Sequence, residues 1–408
     1  MKVLIVGSGA REHALAWRLS QSPGLTELHA APGNPGIAAL GQCHPVRAED
    51  GEGLLSLALT IEADLVVVGP EGPLVAGVAD ELRRNGVVVF GPSAEAARIE
   101  GSKAFAKDVL RAAGVPTAAT LAVARPPCVV KADGLASGKG VFVCRTPDEV
   151  EAALAAMAEL GSDFAIEELL EGAEASVFAL SDGRNVVALG AAQDFKRIGD
   201  GDVGPNTGGM GAYSPVAALG DVEHLVDQVH RPVVEELARR GSPFLGCLFA
   251  GLMLTEDGPK VLEFNARFGD PETQALMPRI EGDLLSALAA AAHGDLSGVS
   301  IGTAGDAAVT VVLAAPDYPA RSDYSGAAID GVEQAEAAGA LVFHGGTAVR
   351  DGSLIANGGR ILSVTATGAT VTDARDRAYA AVELVHFDGA RFRRDIAATA
   401  AIQEVAGV

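Results

Sequence analysis

Two lysines bracket a glycine-rich stretch in Val129-Val130-Lys131-Ala132-Asp133-Gly134-Leu135-Ala136-Ser137-Gly138-Lys139-Gly140-Val141. The N–H groups of such a loop, with two cationic heads, can neutralise a polyphosphate. The stretch is not a Walker A loop: Gly134 and Gly138 enclose three residues, Lys139 precedes Gly140 instead of Ser or Thr, and the pattern continues as a strand. An ordinary glycine hairpin with solvated lysines is the competing reading. A second group lies in Val261-Leu262-Glu263-Phe264-Asn265-Ala266-Arg267. The two-residue period of a strand puts Glu263, Asn265 and Arg267 on one face, with Leu262 and Phe264 on the other. A carboxylate and an amide oxygen are hard ligands suited to magnesium, and a guanidinium can grip a phosphoryl oxygen. A solvated outer strand face is the alternative. Asp270-Pro271-Glu272-Thr273 then reads as a helix start, with Asp270 as N-cap and Pro271 at the first helical position.

Weaker signals surround these. Ala165 to Leu170 begins apolar and ends near the paired acids Glu167 and Glu168, a form that can offer edge backbone groups to an adenine, while Glu174 offers a carboxylate to ribose hydroxyls. Paired glutamates are more often simply exposed. The loop Gly204 to Gly211, with Gly208 and Gly209, permits close backbone approach to a ligand or is a surface turn. At the N-terminus Gly7-Ser8-Gly9 sits where a strand meets a helix, as a dinucleotide site requires. Glu12 replaces the third glycine, and no acid closes the second strand.

The elements that must position these residues follow from hydrophobic periodicity. Strands are predicted at Lys2–Val6, Glu27–Ala31, Asp64–Val68 and Val87–Phe90, and helices at Arg11–Leu19, Gly53–Ile61 and Val75–Asn85. This alternation implies an open, mainly parallel sheet. Beyond the helix Lys103–Ala113 strands dominate: Val129–Lys131, Val141–Cys144, Phe164–Leu169, Ala175–Ser181 and a hairpin, Leu248–Thr255 returning as Lys260–Arg267. Helices Pro147–Leu160 and Val222–Arg240 and a glycine loop Gly199–Gly211 are interspersed. From about Ala307, strands Val309–Leu313 and Ile361–Ala366 with helix Val371–Leu384 read as a third, α+β unit.

A chain of 408 residues suits two or three cores at roughly 150 residues each. Hydrophobic residues at 49% against 21% charged exclude global disorder. A net charge of -22 disfavours nucleic acid and anionic membranes as partners. The scattered Cys43, Cys128, Cys144 and Cys247 have no zinc spacing and read as thiols in a reducing compartment. With no membrane span or signal peptide legible, a cytoplasmic location is expected.

The chain closely resembles the phosphoribosylamine–glycine ligases, or glycinamide ribonucleotide synthetases, of the ATP-grasp superfamily. The resemblance runs from Val6-Gly7-Ser8-Gly9-Ala10-Arg11-Glu12-His13-Ala14 through Gly101-Ser102-Lys103-Ala104-Phe105 to Asn357-Gly358-Gly359-Arg360, and is most specific at Arg267-Phe268-Gly269-Asp270-Pro271-Glu272-Thr273 and Gly204 to Pro215. It implies an N-terminal open parallel-sheet (pre-ATP-grasp) domain over residues 1–102, a central ATP-grasp fold over 103–305 with a lid at about 115–180, and a small C-terminal α+β domain over 306–408. It further implies that Lys103, Lys131 and Lys139 contact ATP phosphates, that Glu167, Glu168, Leu169 and Leu170 form the adenine hinge, and that Glu174 holds the ribose. Glu263 and Asn265 would bind magnesium or manganese. Lys196, Gly208, Gly209, Arg267, Asp270, Pro271 and Glu272 would surround ATP, glycine and the reacting phosphoryl group, with Lys139 and Arg267 stabilising its charge. Gly9 and Glu71 would contact phosphoribosylamine. The sequence departs from the family pattern at Ala10, Leu169 and Phe195. The implied reaction is ATP-dependent ligation of glycine to 5-phosphoribosylamine by a monomer, with contacts to neighbouring pathway enzymes at most transient. Another ATP-grasp carboxylate–amine ligase, an NAD-dependent dehydrogenase and a nucleotide-binding protein without turnover are the alternatives.

Overall fold

The computed structural model describes residues 1–134, 140–161 and 163–406. The first hundred residues form a parallel sheet in the order β3-β2-β1-β4-β5, from β1 (Lys2–Gly7), β2 (Glu27–Pro32), β3 (Gln42–Cys43), β4 (Leu65–Val68) and β5 (Val89–Phe90). Val3, Leu4, Ile5 and Val6 are all fully buried, as a strand covered on both faces requires. The helix Ala10–Leu19 follows β1 directly, and the Glu12 carboxylate turns back to accept the Gly9 N–H at 2.6 Å. This replaces the third glycine of a dinucleotide fingerprint with a capping carboxylate. The helix expected over Val75–Asn85 is two, Glu71–Val75 and Val78–Arg84, because Gly77 adopts φ 86 between them. A further helix, Ala94–Gly101, precedes Lys103–Ala113, which is capped by the Ser102 hydroxyl and stopped by Gly114 at φ 69.

A small antiparallel sheet, β7-β6-β8, comprises β6 (Cys128–Ala132), β7 (Val141–Cys144) and β8 (Phe164–Glu168), with the helix Pro147–Leu160 packed on it. The body continues with β9 (Ala173–Asp182) and β10 (Val186–Asp194). In place of the loop expected at Gly199–Gly211 comes a ribbon of β11 (Arg197–Gly199) and β12 (Val203–Asn206), then β13 (Gly211–Ser214). The hairpin is β14 (Leu245–Thr255) with β15 (Gly258–Asn265). A short pair, β16 (Ile280–Glu281) with β17 (Gly302–Thr303), precedes β18 (Ala307–Ala314); β19 (Ser325–Ala328), β20 (Leu341–His344), β21 (Thr347–Arg350), β22 (Ser353–Asn357) and β23 (Arg360–Gly368) complete the strands.

The expected C-terminal strands do form, but they do not make a sheet of their own. β18 pairs with β13, and one eight-stranded sheet runs β15-β14-β9-β10-β13-β18-β23-β20. Its middle is buried: Phe178 on β9 faces Phe249 on β14 with ring centroids 4.6 Å apart. Among the described residues no helix is long and apolar enough to cross a membrane.

Two local expectations are corrected. Gly251 pairs with Glu263 but Leu252 with Val261, so Leu262 is an extra, bulged residue. It leaves the apolar face predicted for it and joins the cavity wall beside Glu263. β15 then ends at Asn265, so Arg267 is not the third member of the row. Asp270 is also not the N-cap of the next helix; Pro271 stands there, and the Asp270 carboxylate is taken by Gln274 Nε2 at 2.7 Å and by Arg360 at 3.3 Å.

Phe178 lies at the centre of the long sheet, so Phe178→Ala is expected to cost about 3–5 kcal/mol of unfolding free energy. Chemical denaturation measures it, and a loss under about 1 kcal/mol would mean this ring pair is not central to the core.

Candidate active site

A cavity of about 940 Å³ opens between the parallel sheet, the small sheet β7-β6-β8 and the long sheet. Residues from every part of the chain line it, among them Gly9 and Glu71, Lys103 and Lys131, Glu263 and Asn265, Glu272, and Arg360.

Two lysines gather around one buried carboxylate. Glu167 on β8 receives Lys131 at 2.8 Å and Lys107 at 3.1 Å, and Lys131 also donates to the Leu262 carbonyl of β15 at 3.2 Å. Lys103 Nζ donates to the Gly134 carbonyl at 3.1 Å, and burial, partly offset by Glu263 and Asp133, lowers its pKa. Lysines and acid row therefore share one cavity. Lys139, expected on the loop above them, lies outside the described residues. Lys107 escaped the sequence reading, although it stands one helical turn from Lys103 on the same face. Glu167 is committed to these lysines through both oxygens, so its carboxylate is not available to an adenine. Glu168 faces outward, accepting from Ala119 N at 3.0 Å and Lys260 at 3.3 Å.

A second cluster surrounds Glu272. Its side chain is 3% exposed, its Oε1 accepts from the Ser176 hydroxyl at 3.4 Å, and its Oε2 has no partner. Burial, reinforced by Asp194, pushes its pKa up to about 7 against the pull of Lys196. Lys196 is gripped by Asp194 at 2.9 Å and Glu174 at 3.3 Å; burial opposes its charge, but these carboxylates hold its pKa well above the ordinary value. Phe195 turns away: its ring lies under the Arg393 guanidinium, 5.1 Å from the centroid.

Arg267 is engaged on every side. It donates to Glu71 at 3.1 Å, Glu100 at 2.9 Å and the Phe268 carbonyl at 3.2 Å. Burial would raise the Glu71 pKa, yet Arg267 and then Arg11 hold it down to about 2. Glu100 goes the other way, raised by burial despite Arg267. Glu100 carried no sequence signal, since its partner Arg267 lies 167 residues away, while Arg11 reaches the same cluster by donating to the Phe268 carbonyl at 3.2 Å. Gly208 and Gly209 line or abut the cavity beside Pro271, and a Cβ on Gly209, which has φ +112, would come 2.3 Å from the Pro271 ring.

Glu263 and Asn265 offer two hard oxygen donors on one strand. The residues paired with them on β14 are Gly251 and Phe249, which add no carboxylate. Among the described residues no group of three His, Cys, Asp or Glu side chains gathers to hold an ion. The donor set fits a cation that keeps water and phosphate oxygens as its remaining ligands, as magnesium does.

Removing Arg267 would strand the buried Glu100 carboxylate and take the nearest cation from the partly exposed Glu71. Arg267→Met is expected to cost about 3–5 kcal/mol, and adding Glu100→Gln to recover part of it. Denaturation of the two single variants and the double variant measures the coupling; strict additivity would mean the pair does not act as one unit.

The chain matches three family models: the phosphoribosylglycinamide synthetase N domain over residues 1–100, its ATP-grasp (A) domain over 101–273 and its C domain over 308–399. It is 50% identical over 423 residues to a phosphoribosylamine–glycine ligase of Mesorhizobium japonicum, covering 99% of each chain. It is 52% identical over 418 residues to that of Streptomyces coelicolor, covering 98% of this chain and 100% of the relative. The crystal structure of the phosphoribosylamine–glycine ligase from Thermotoga maritima is similar at a TM-score of 0.84 and 35% identity, over 97% of this chain and 100% of that one. The biotin carboxylase domain of the Hydrogenobacter thermophilus 2-oxoglutarate carboxylase, 18% identical with a TM-score of 0.68 over 96% and 91% of the chains, shares the fold. From end to end, the chain belongs to the phosphoribosylglycinamide synthetase family of the ATP-grasp superfamily.

Proposed function

We infer that the protein joins 5-phosphoribosylamine to glycine at the expense of ATP, giving glycinamide ribonucleotide, ADP and phosphate in purine biosynthesis. The observation that carries the residue-level reading is the single cavity lined by Lys103 and Lys131, the Glu263–Asn265 row and Glu272.

ATP phosphates lie against Lys103 and Lys131, with Lys139 contributed by the lid. Glu167, Glu168, Leu169 and Leu170 form the adenine hinge through main-chain groups, since the Glu167 carboxylate is already paired. Glu174, half-exposed beside Lys196, holds the ribose. Glu263 and Asn265 hold a magnesium or manganese ion, which when bound draws negative charge off the phosphate oxygens and so favours phosphoryl transfer.

Glycine's carboxylate resists attack by an amine until one oxygen becomes a good leaving group. Transfer of the γ-phosphoryl group makes glycyl phosphate and releases ADP; the ribosylamine nitrogen then attacks the acyl carbon and phosphate departs. No protein nucleophile is needed. Lys196 is the cation beside Glu272 and supplies positive charge near the transferred group. Arg267, held by Glu71 and Glu100, acts mainly by fixing the wall that carries Asp270, Pro271 and Glu272. The Glu272 carboxylate, at the cavity wall, accepts the glycine ammonium, and the Gly208-Gly209 turn beside it fills no space with side chains. Gly9 and Glu71, on the parallel-sheet side, face phosphoribosylamine.

ADP formation is expected to require glycine and phosphoribosylamine together. Lys131→Ala and Glu263→Ala are each expected to lower it by at least 100-fold with circular dichroism unchanged, and full activity in either would remove that residue from the site. Below about pH 7 Glu272 is protonated and cannot pair with an ammonium; above it the carboxylate can. The glycine KM is therefore expected to fall as pH rises through about 7, and to lose this dependence in Glu272→Gln. A profile that persists in the variant would assign it to another group.

A further inference from the structure

The two turns that bound the glycine end of the cavity are joined by side chains from the C-terminal segment. Arg360, the first residue of β23, donates through one terminal nitrogen to the Gly208 carbonyl at 2.6 Å and the Asp270 carbonyl at 2.8 Å, with the Gly209 carbonyl at 3.5 Å. Its other terminal nitrogen is 3.3 Å from the Asp270 carboxylate. The Tyr318 hydroxyl, just beyond β18, accepts the Gly208 N–H at 2.8 Å. Gly208 is thus held at both its N–H and its carbonyl by groups more than 100 residues away in sequence.

We propose that Arg360 and Tyr318 are positioning residues for glycine activation: they clamp the Gly208-Gly209 turn to the Asp270-Pro271 turn and so fix where Glu272 presents its carboxylate. This rests on the reading of Glu272 as the glycine partner. Several features raise the contact above a plain staple between segments. Its acceptors belong to the two turns that line the cavity, and both Arg360 and Tyr318 line it as well. Gly209 packs against Pro271 closely enough that a Cβ on it would come 2.3 Å from the Pro271 ring, so the two turns are in direct contact. Glu272 follows Pro271 directly, and Gln274, one residue further along the helix than Thr273, donates to the same Asp270 carboxylate at 2.7 Å. A planar fork can serve several acceptors at fixed angles, whereas an ammonium is a single point charge.

The test is steady-state kinetics on the full-length enzyme with ATP, glycine and phosphoribosylamine, varying one substrate at a time. Arg360→Lys is expected to raise the glycine KM at least 10-fold while the ATP KM stays within twofold. Tyr318→Phe, which removes only the acceptor for Gly208 N–H, is expected to raise the glycine KM several-fold in the same selective way. Arg18→Met is the structural control: Arg18 donates to the Ile280 and Gly282 carbonyls away from the cavity, so its loss is expected to lower the melting temperature without moving the glycine KM. The proposal is overturned if Arg360→Lys and Tyr318→Phe leave the glycine KM within twofold of the parent, or if ATP and glycine KM rise in parallel. Should Arg360→Lys fail to fold, Tyr318→Phe decides alone. If the parent enzyme forms ADP without needing glycine, the underlying reading of the site fails, a result distinct from variants that merely behave like the parent.

Discussion

A buried carboxylate between two ammonium groups holds the catalytic arrangement together. Glu167 belongs to β8 of the small sheet, Lys107 to the helix Lys103–Ala113, and Lys131 to β6, its ammonium also reaching the Leu262 carbonyl of β15. Desolvating three charges is costly, and the cost is offset only where opposite charges lie within hydrogen-bonding reach. The small sheet is thereby tied to the body, with Lys131 beside Leu262 and the Glu263–Asn265 row of β15.

Charge in the cavity is organised against the character of the whole chain. An excess of 22 negative charges repels anionic substrates at long range, a repulsion that salt screens beyond roughly 10 Å. Inside the cavity the balance is local. Glu71 is kept ionised by Arg267 and Arg11 and Lys196 by Asp194 and Glu174, while Glu272 has one buried oxygen with no partner. That unsatisfied group is costly in the empty protein.

The C-terminal segment is part of the same mechanical unit. Because β18 hydrogen-bonds to β13, the strands that carry Arg360 and lead to Tyr318 extend the sheet whose opposite edge bears Glu263 and Asn265. His13 of the N-terminal helix accepts the His344 N–H at 2.8 Å, and burial lowers the pKa of both imidazoles, keeping that joint neutral. One wall of the cavity is thus a single hydrogen-bonded sheet that carries residues from both the central and the C-terminal segments.

The strand–turn–helix opening, the lysine–glycine segment and the acid row were legible in the amino-acid sequence because each is a local pattern: a β-branched run, a glycine spacing, a period of two. Family membership was legible for the same reason, through Arg267 to Thr273 and Gly204 to Pro215. What local patterns do not carry is the identity of distant partners. The bulge at Leu262 depends on the register with β14, and the engagement of Arg267 depends on Glu71 and Glu100 across a separate sheet. Asp270 failed as an N-cap because Arg360, 90 residues on, competes for its oxygens. The sequence by itself determined which chemical groups are present and on which kinds of element; the tertiary structure decided which are paired, which are buried, and hence which keep an ordinary charge, because desolvation and ion pairing are set by neighbours in space rather than along the chain.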